Sequence, residues 1–488
     1  MTAAAQADLN ASPRARAVDR FAAYGVILAL AAPLRIWAAV SDNGLFWPDE
    51  IYQSLEQAHR FAFGSGLIPW EFQQGARSWL FPGLIGLLWK LCHALGVRSP
   101  LTFIEIAKLA VVAVGLCGIA AAMRLAERLA GLTAALLAGG LCATFPAMVV
   151  YGARCTTETV SGPLLVGAAL MLVQPGGRRA LWAAGMAGLA VFLRYQNGLI
   201  TVGLGLWVLA QGQRRDASRY ALGVVAVGLL GGALDWATWG APFHAFAKYV
   251  DFNIVQNKAV GWGQAPFDYY ARTAWTSTGP VLALVVLGLA LAFSRARGLW
   301  LVAAAYVLAH CFVAHKEYRF LMPVWPLLLA LAGVGLARIY SHLALPAWPA
   351  WLMVGALAAT GFTGALAETF AQMGQYQGTA QGQGSVWHAG EDANLALLDA
   401  GQRPDLCGVF LAGVHPAWAG GYTYLGADVP FYFPQNARSL AGANYLVAPS
   451  GSQGAQGFEA VAEHGRFSVF RRDGGCAPPP PGWRPLLP

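Results

Sequence analysis

The stretch FAAYGVILALAAPLRIWAAV (residues 21–40) runs straight into SDNGLFWPDEIYQSLEQAHRFAFG (41–64), an apolar segment followed by a polar one with its own helical pattern. Twenty residues at about 1.5 Å each cover the roughly 30 Å of a hydrocarbon layer, so 21–40 is expected to cross a membrane. Arg14, Arg16 and Arg20 precede the run, Arg35 interrupts it near its far end, and no small-residue cleavage site follows. It therefore reads as a retained span rather than a signal peptide. In the polar part, Ile51, Leu55, Ala58 and Ala62 share one helical face, Pro48 with Asp49 and Glu50 suits a first turn, and Gly64 suits the end. An amphipathic helix lying at the membrane surface is expected there.

The rest of the chain repeats the first signal. Of 488 residues, 57% are apolar and 11% charged, against about 25% charged in soluble domains. That surplus needs lipid to face, which excludes a large soluble globule, a disordered chain and a disulfide-built mini-protein. Further apolar runs lie near 79–97, 103–123, 131–150, 156–174, 180–194, 198–211, 219–238, 277–294, 298–314, 321–338 and 347–367. Short clusters at Arg124 and Arg128, Arg178 and Arg179, Arg214 to Arg219, Arg295 and Arg297, and Arg338 mark the cytoplasmic side, with residues 1–20. The loop 41–78, the segments 152–158, 194–197, 239–276 and 314–320, and the tail 368–488 then lie on the opposite face. Parity makes 79–97 a juxtamembrane or re-entrant helix and leaves about eleven spans in 21–367.

The tail differs in charge as well as hydropathy. Residues 1–367 carry 26 basic and 15 acidic residues, net +11, whereas 368–488 carry 6 and 9, net −3. A helical pattern at 395–399 and strand patterns at 409–412, 445–448 and 466–472 predict a small α/β extracytoplasmic domain. The expected fold class is thus an all-α polytopic membrane protein with that domain at its C-terminus. The overall charge of +8 sits at membrane flanks, so no nucleic-acid partner is expected. Five of the seven cysteines lie in or beside spans as packing residues. Cys407 and Cys476 are in the exported tail, where either a bridge or two free thiols is compatible with the sequence.

Two polar clusters collect on the extracytoplasmic side. Asp49 and Glu50 open the loop helix, and acids at a helix N-terminus have an ordinary reason to be there, since they meet the helix dipole favourably. Their functional reading is a carboxylate held just outside the bilayer as a general base. The second cluster is His315-Lys316-Glu317-Tyr318-Arg319-Phe320, between two apolar runs. Cations at a membrane boundary are often mere anchors, but this cluster lies on the side that should be poor in Lys and Arg, so an anionic ligand explains it better. Arg154 with Glu158, Arg194 with Asn197, and the Asp251–Lys258 stretch with Asn253 are smaller signals on the same face. There is no phosphate-binding glycine loop, dinucleotide fingerprint, His/Cys metal spacing or nucleophile elbow, so no metal or cofactor is expected.

Pro48-Asp49-Glu50, Gln53-Ser54-Leu55-Glu56, Ala58-His59-Arg60, Trp70-Glu71-Phe72 and Arg77-Ser78 before Pro82 together resemble the opening of glycosyltransferase family 22. His315-Lys316-Glu317 with Arg319-Phe320-Leu321 and Pro323 is similar to that family's second hallmark, and the resemblance covers about residues 35–330. It implies a GT-C fold and an inverting mannosyltransferase that uses a polyprenyl-phosphate sugar donor, a glycan or glycolipid acceptor, membrane lipid and no essential metal. It maps the family's catalytic loop carboxylate onto Asp49, with Glu50 beside it, and donor-phosphate binding onto His315, Lys316 and Arg319. Glu317, Arg154, Arg194 and Asn253 become further substrate contacts. The segment Arg194-Tyr195-Gln196-Asn197 departs from the Arg-Pro-Thr associated with the family, which leaves the sugar or acceptor open. The compact, Arg-rich chain points to a bacterial member in the inner membrane, with its catalytic face periplasmic. A transferase of another polyprenyl-phosphate sugar, or a transporter or flippase, are the competing readings, although transporters place ionisable groups at mid-membrane and carry repeats.

Overall fold

The computed structural model describes residues 13–346, 348–366, 386–437, 439–452 and 457–487. The boundary expected at residue 368 and residues 1–12 of the expected cytoplasmic N-terminus lie outside these. The chain divides into two compact units, one of Met1–Trp37, Ala110–Ala233 and Gln256–Gly378, the other of Ala38–Leu109, Leu234–Val255 and Thr379–Pro488.

The first unit is helical. Among the described residues, Arg20–Ser41, Pro100–Ala130, Arg214–Trp239 and Pro280–Phe312 are long and apolar enough to cross a bilayer, and Leu132–Thr144 with Pro146–Ala153, bent by 63°, forms a fifth candidate. The remaining runs of the membrane segment are helices of 13 to 19 residues: Thr157–Leu172, Gly177–Leu193, Gly198–Ala210, Trp325–His342 and Trp348–Leu366. Leu132–Thr144 and Trp325–His342 are buried along nearly their whole length, which is why they read as apolar on every face. Small residues allow the contact: a Cβ on Gly333 would fall 2.5 Å from the Ala138 nitrogen, and one on Gly335 would collide with the Gly288 carbonyl.

Two breaks have identifiable causes. Helix Leu132–Thr144 stops at Phe145 before Pro146, exposing carbonyls that need donors. The buried Arg35 supplies them, donating to Ala143 O (2.9 Å), Cys142 O (3.0 Å) and Met148 O (3.0 Å), so the charge that interrupts the first span caps a neighbouring helix. The second break is Ala296, whose φ of −135° and ψ of 38° are not helical. The Trp300 indole donates to Leu289 O at 3.1 Å, a contact that eleven residues of straight helix, about 16 Å, would forbid. The chain therefore folds back at Ala296, between the two runs expected at 277–294 and 298–314.

The second unit joins the first loop to the tail. The loop helix is built from Pro48–Glu50, a π-turn at Ile51–Leu55 and Glu56–Phe63, and Gly64 closes it at φ 94°. It does not present a polar face to solvent as an interfacial helix would, because Tyr52, Glu56, Gln57 and His59 are as buried as Leu55 and Ala58. The reason is the tail: the Glu56 carboxylate accepts from Leu67 N (2.7 Å), Tyr422 N (3.0 Å), Thr423 N (2.9 Å) and Thr423 Oγ1 (2.6 Å). The Tyr52 hydroxyl lies against Pro416 O (2.6 Å) and Ala419 O (2.7 Å). At the far end, Ile68 N donates to Pro485 O and Leu487 N to Ile68 O, so the last residues pair with the loop.

The tail's sheet has five strands: β1 (Val409–Leu411), β2 (Phe431–Tyr432), β3 (Tyr445–Pro449), β4 (Glu459–His464) and β5 (Phe467–Arg471), in the order β2-β1-β3-β5-β4. β1 runs parallel to β2 and β3, while β5 pairs antiparallel with β3 and β4. Helix Glu391–Gly401 packs on it. Three strands are legible from their apolar runs. β2 has two residues, and β4 is largely exposed, so neither carries a buried pattern.

Cys407 and Cys476 are bonded, closing a 69-residue separation. Alkylation of unfolded, unreduced protein is therefore expected to label five cysteines, rising to seven on reduction; seven without reductant would contradict the bridge. Its removal by Cys407→Ser should cost about 4 kcal/mol on the chain-entropy model.

Candidate active site

In the first unit, the loop 313–324 joins helices Pro280–Phe312 and Trp325–His342, and its end tightens into a 3-10 turn at Tyr318–Leu321. Glu317 is extended, which aims its carboxylate between neighbours on both sides. His315 Nε2 lies 2.9 Å from Glu317 Oε1, and Arg319 Nε donates to Glu317 Oε2 at 2.6 Å. The other imidazole nitrogen, Nδ1, meets Gly263 O at 2.9 Å. Burial works against ionising either partner, yet Arg319 and His315 outweigh it and hold Glu317 below the ordinary carboxylate range. Burial likewise opposes a charged His315, but Glu317 and the Gly263 carbonyl raise its pKa.

A second buried acid continues this network. Glu158 stands in the first turn of Thr157–Leu172, a position that favours a negative charge. Its Oε1 lies 2.8 Å from Arg194 Nη1 and 3.2 Å from Arg319 Nη1, all three side chains being almost fully buried. Arg194 is positioned by the end of helix Gly177–Leu193, where the backbone turns extended before the 3-10 turn Tyr195–Asn197. The Phe320 ring takes Arg194 at 4.6 Å and Arg319 at 5.5 Å from its centroid. Lys316 Nζ donates to Ala265 O (2.8 Å) and Val313 O (2.5 Å). Arg194, His315 and Arg319 thus meet two carboxylates, with Lys316 beside them on backbone carbonyls, and Arg194 Nε is a buried donor without a hydrogen-bond partner among the described residues. Arg154 is buried in the same unit.

The second unit holds the acids of the first loop. Asp49 is half-buried and Glu50 buried. Gln53 Nε2 donates to Asp49 Oδ1 and, at 2.9 Å, to Glu71 Oε1. Glu71 is buried in the short helix Trp70–Gln73, and burial, reinforced by the Asp49 charge, pushes its pKa up to about 7. Two carboxyl groups therefore share one amide. Asn253 belongs to this unit, where its amide caps Tyr249 O at 2.9 Å, beside a Trp70–Phe252 stack at 4.1 Å. Asp42, His388 and Glu391 place possible metal-ligand atoms within 4.8 Å of one another, but His388 Nδ1 already lies 2.6 Å from Glu391 and Asp42 accepts two backbone N–H groups.

The residues expected from sequence are thus held in two groups: His315, Lys316, Glu317, Arg319, Arg194 and Arg154 in the first unit, Asp49, Glu50 and Asn253 in the second. In the sequence Glu158 is legible only as a companion of Arg154, whereas the fold ties it to Arg194 and Arg319. Gln53 and Glu71 stand in the first motif, but their role depends on burial, which no local pattern reveals.

A family model described as the Alg9-like mannosyltransferase family matches residues 26–379. The chain belongs to this family. GPI mannosyltransferase 3 of Yarrowia lipolytica is 29% identical over 319 residues, 62% of this chain and 61% of that protein. GPI alpha-1,2-mannosyltransferase 3 of Danio rerio is 26% identical over 310 residues, 60% of this chain and 56% of its own length. The chain spans about three fifths of the length of these curated relatives. In structure, ArnT from Cupriavidus metallidurans bound to undecaprenyl phosphate aligns with a TM-score of 0.62 at 15% identity, over 96% of this chain and 100% of that one. The Archaeoglobus fulgidus oligosaccharyltransferase aligns at 0.53 and 13% identity, over 87% and 68%. This family member is an integral membrane protein with their GT-C fold. The match from residue 26 covers both motifs that carried the resemblance.

Glu158→Gln leaves two buried guanidinium groups without their shared anion, a loss of about 3–5 kcal/mol for a broken buried pair. The thermal midpoint in detergent should fall, and Glu158→Gln with Arg194→Gln should recover part of the loss; an unchanged midpoint in the single variant would contradict the pairing. Glu71 gives a pH signature. Its folded pKa of about 7 is above the unfolded 4.5, so its contribution is complete below about 4.5 and lost as pH rises through 7. Between pH 5 and 8 the wild type should lose up to roughly 3 kcal/mol, a slope that Glu71→Gln should flatten in denaturant titrations at each pH.

Proposed function

We propose that the protein is an inverting membrane glycosyltransferase that moves mannose from a polyprenyl-phosphate carrier to a hydroxyl of a lipid-linked or exported glycan. The observation that carries this reading is the buried cluster of Arg194, His315, Lys316 and Arg319, in excess over Glu158 and Glu317 and set between apolar helices. Such an excess suits a phosphate at headgroup level, because buried charge needs a counter-ion. Membership of a mannosyltransferase family supports the sugar, and the undecaprenyl phosphate bound to ArnT, a protein of the same fold, supports the carrier.

The chemistry is a single displacement. The acceptor oxygen bonds to the anomeric carbon from the face opposite the phosphate, the carbon–oxygen bond to phosphate breaks, and the electron pair leaves with the polyprenyl phosphate. Asp49 takes the hydroxyl proton, with Gln53 fixing its orientation. Arg194 Nε and the third Lys316 N–H are the donors that meet the charge growing on the leaving phosphate. Arg319 is pinned to Glu158 and Glu317, so its part is to hold the loop and its field in place. Glu50, Arg154 and Asn253 remain candidate substrate contacts.

In this reading eleven helices cross the membrane, the helix folded at Ala296 counting twice, and the bent pair 132–153 once. Leu80–Ala94 lies along the interface; its exposed Leu84, Leu87 and Leu91 opposite buried Phe81, Ile85 and Trp89 suit that position. Residues 1–20 face the cytoplasm, and the first loop and tail face the periplasm of a bacterial inner membrane. Asn197 is fully buried and donates to Ala190 O at 2.8 Å, so this residue of the unusual segment serves packing, and another hexose is left as the second reading.

Asp49→Asn should lower turnover of polyprenyl-phosphate mannose by about 10²–10⁴-fold while donor binding persists. Lys316→Ala should instead raise the donor KM. Near-normal turnover in Asp49→Asn would return that acid to its helix-dipole role.

A further inference from the structure

A polar cavity of about 590 Å³ in the first unit lies away from the Glu158 cluster. It is at the other end of helix Trp325–His342 from the 313–324 loop, about 20 Å away along the axis at 1.5 Å per residue. Three segments remote in sequence build it: the end of helix Pro100–Ala130 with Arg128, the fold-back at Ala296 with Ser294 and Arg295, and the end of Trp325–His342 with Arg338 and Ser341.

Arginines at helix ends often only cap carbonyls, and these do some of that. Arg295 Nε donates to Leu129 O at 2.9 Å, and Arg338 Nη1 to Leu291 O at 2.8 Å and to Ser294 Oγ. Arg128 reaches Leu170 O only at 3.5 Å. Each guanidinium carries five N–H donors, so most of the three forks remain unspent. Among the described residues no carboxylate lines the cavity. Glu127, the acid next to Arg128, is taken by Arg20 (2.6 Å), Arg124 (2.6 Å) and Tyr24 (2.8 Å). Three cations from three helix ends, with two hydroxyls and no acid, line one cavity, a chemistry that suits a phosphate.

We propose that this cavity binds a phosphate-bearing anion, either the headgroup of an acidic phospholipid or a soluble polyphosphate, at a site separate from sugar transfer. Basic pockets between membrane helices are suited to such headgroups. Bound there, the anion would tie together the three helix ends that the cavity separates.

The test uses the full chain purified and delipidated in detergent, with thermal stability and native mass spectrometry as readouts. Probes are cardiolipin, phosphatidylglycerol, phosphatidylcholine and inorganic pyrophosphate. Cardiolipin or phosphatidylglycerol should bind and stabilise where phosphatidylcholine does not, and each guanidinium lost should weaken binding roughly tenfold. The triple variant Arg128→Gln, Arg295→Gln, Arg338→Gln should show no selective binding. Should it not fold, Arg128→Gln, which gives up no short bond, decides the matter through its own weakened affinity. Stabilisation by pyrophosphate alone supports the soluble source; by the acidic lipids alone, the headgroup. Equal affinity in wild type and Arg128→Gln, or no response to any anionic probe, overturns the site. Neither outcome touches the transfer reaction, which none of these readouts requires.

Discussion

Glu158 is a carboxylate with almost no solvent, and its pairing with two arginines ties three segments of the first unit together. Its partners come from distant places: Arg194 from the end of one helix, Arg319 from the loop before another. Removing Glu158 leaves two guanidinium groups without their shared anion in a low-dielectric interior, so the helix starting at Thr157, the turn at 195–197 and the 313–324 loop are fixed together. Arg319 then reaches on to Glu317, and Glu317 to His315. Lys316, beside this network, meets the Ala265 and Val313 carbonyls and no carboxylate among the described residues. The pairing of these segments is thus a consequence of one constraint, that buried charge must be balanced.

The second unit meets the same constraint with neutral donors and with protons. Glu56 is balanced by three backbone N–H groups and a hydroxyl, and these contacts join the loop helix to the tail. Glu71 accepts from Gln53, a neutral donor too weak to offset its burial, so its pKa rises to about 7. Asp49, less buried, shares the same amide. The three carboxylates thus sit in three different environments, although all three residues lie within 23 positions of sequence.

What could be read from the sequence follows from this division. Apolar runs report lipid and core, so the helices of the first unit stand out, as does the fold-back marked by Arg295 and Arg297. The two motifs stand out because carboxylates and cations next to apolar runs are costly. Partners fixed by tertiary contact stay hidden. Arg35 looks like a flaw in a span until the carbonyls freed before Pro146 are seen beside it. The loop helix looks amphipathic because its polar face is satisfied by the tail, more than 350 residues away in sequence. Glu71 could not be weighed at all, since its acidity depends first on burial and then on the Arg77 and Asp49 charges near it.

If the positive excess around Glu158 and Glu317 exists for a lipid phosphate, the sugar donor must carry one. The decisive measurement gives the purified protein mannose labelled on a polyprenyl phosphate and, separately, on a nucleotide, with the same glycan acceptor. Transfer from the lipid carrier with release of polyprenyl phosphate, and none from the nucleotide, is the expected result. Efficient transfer from the nucleotide sugar, in the absence of any lipid carrier, would contradict it.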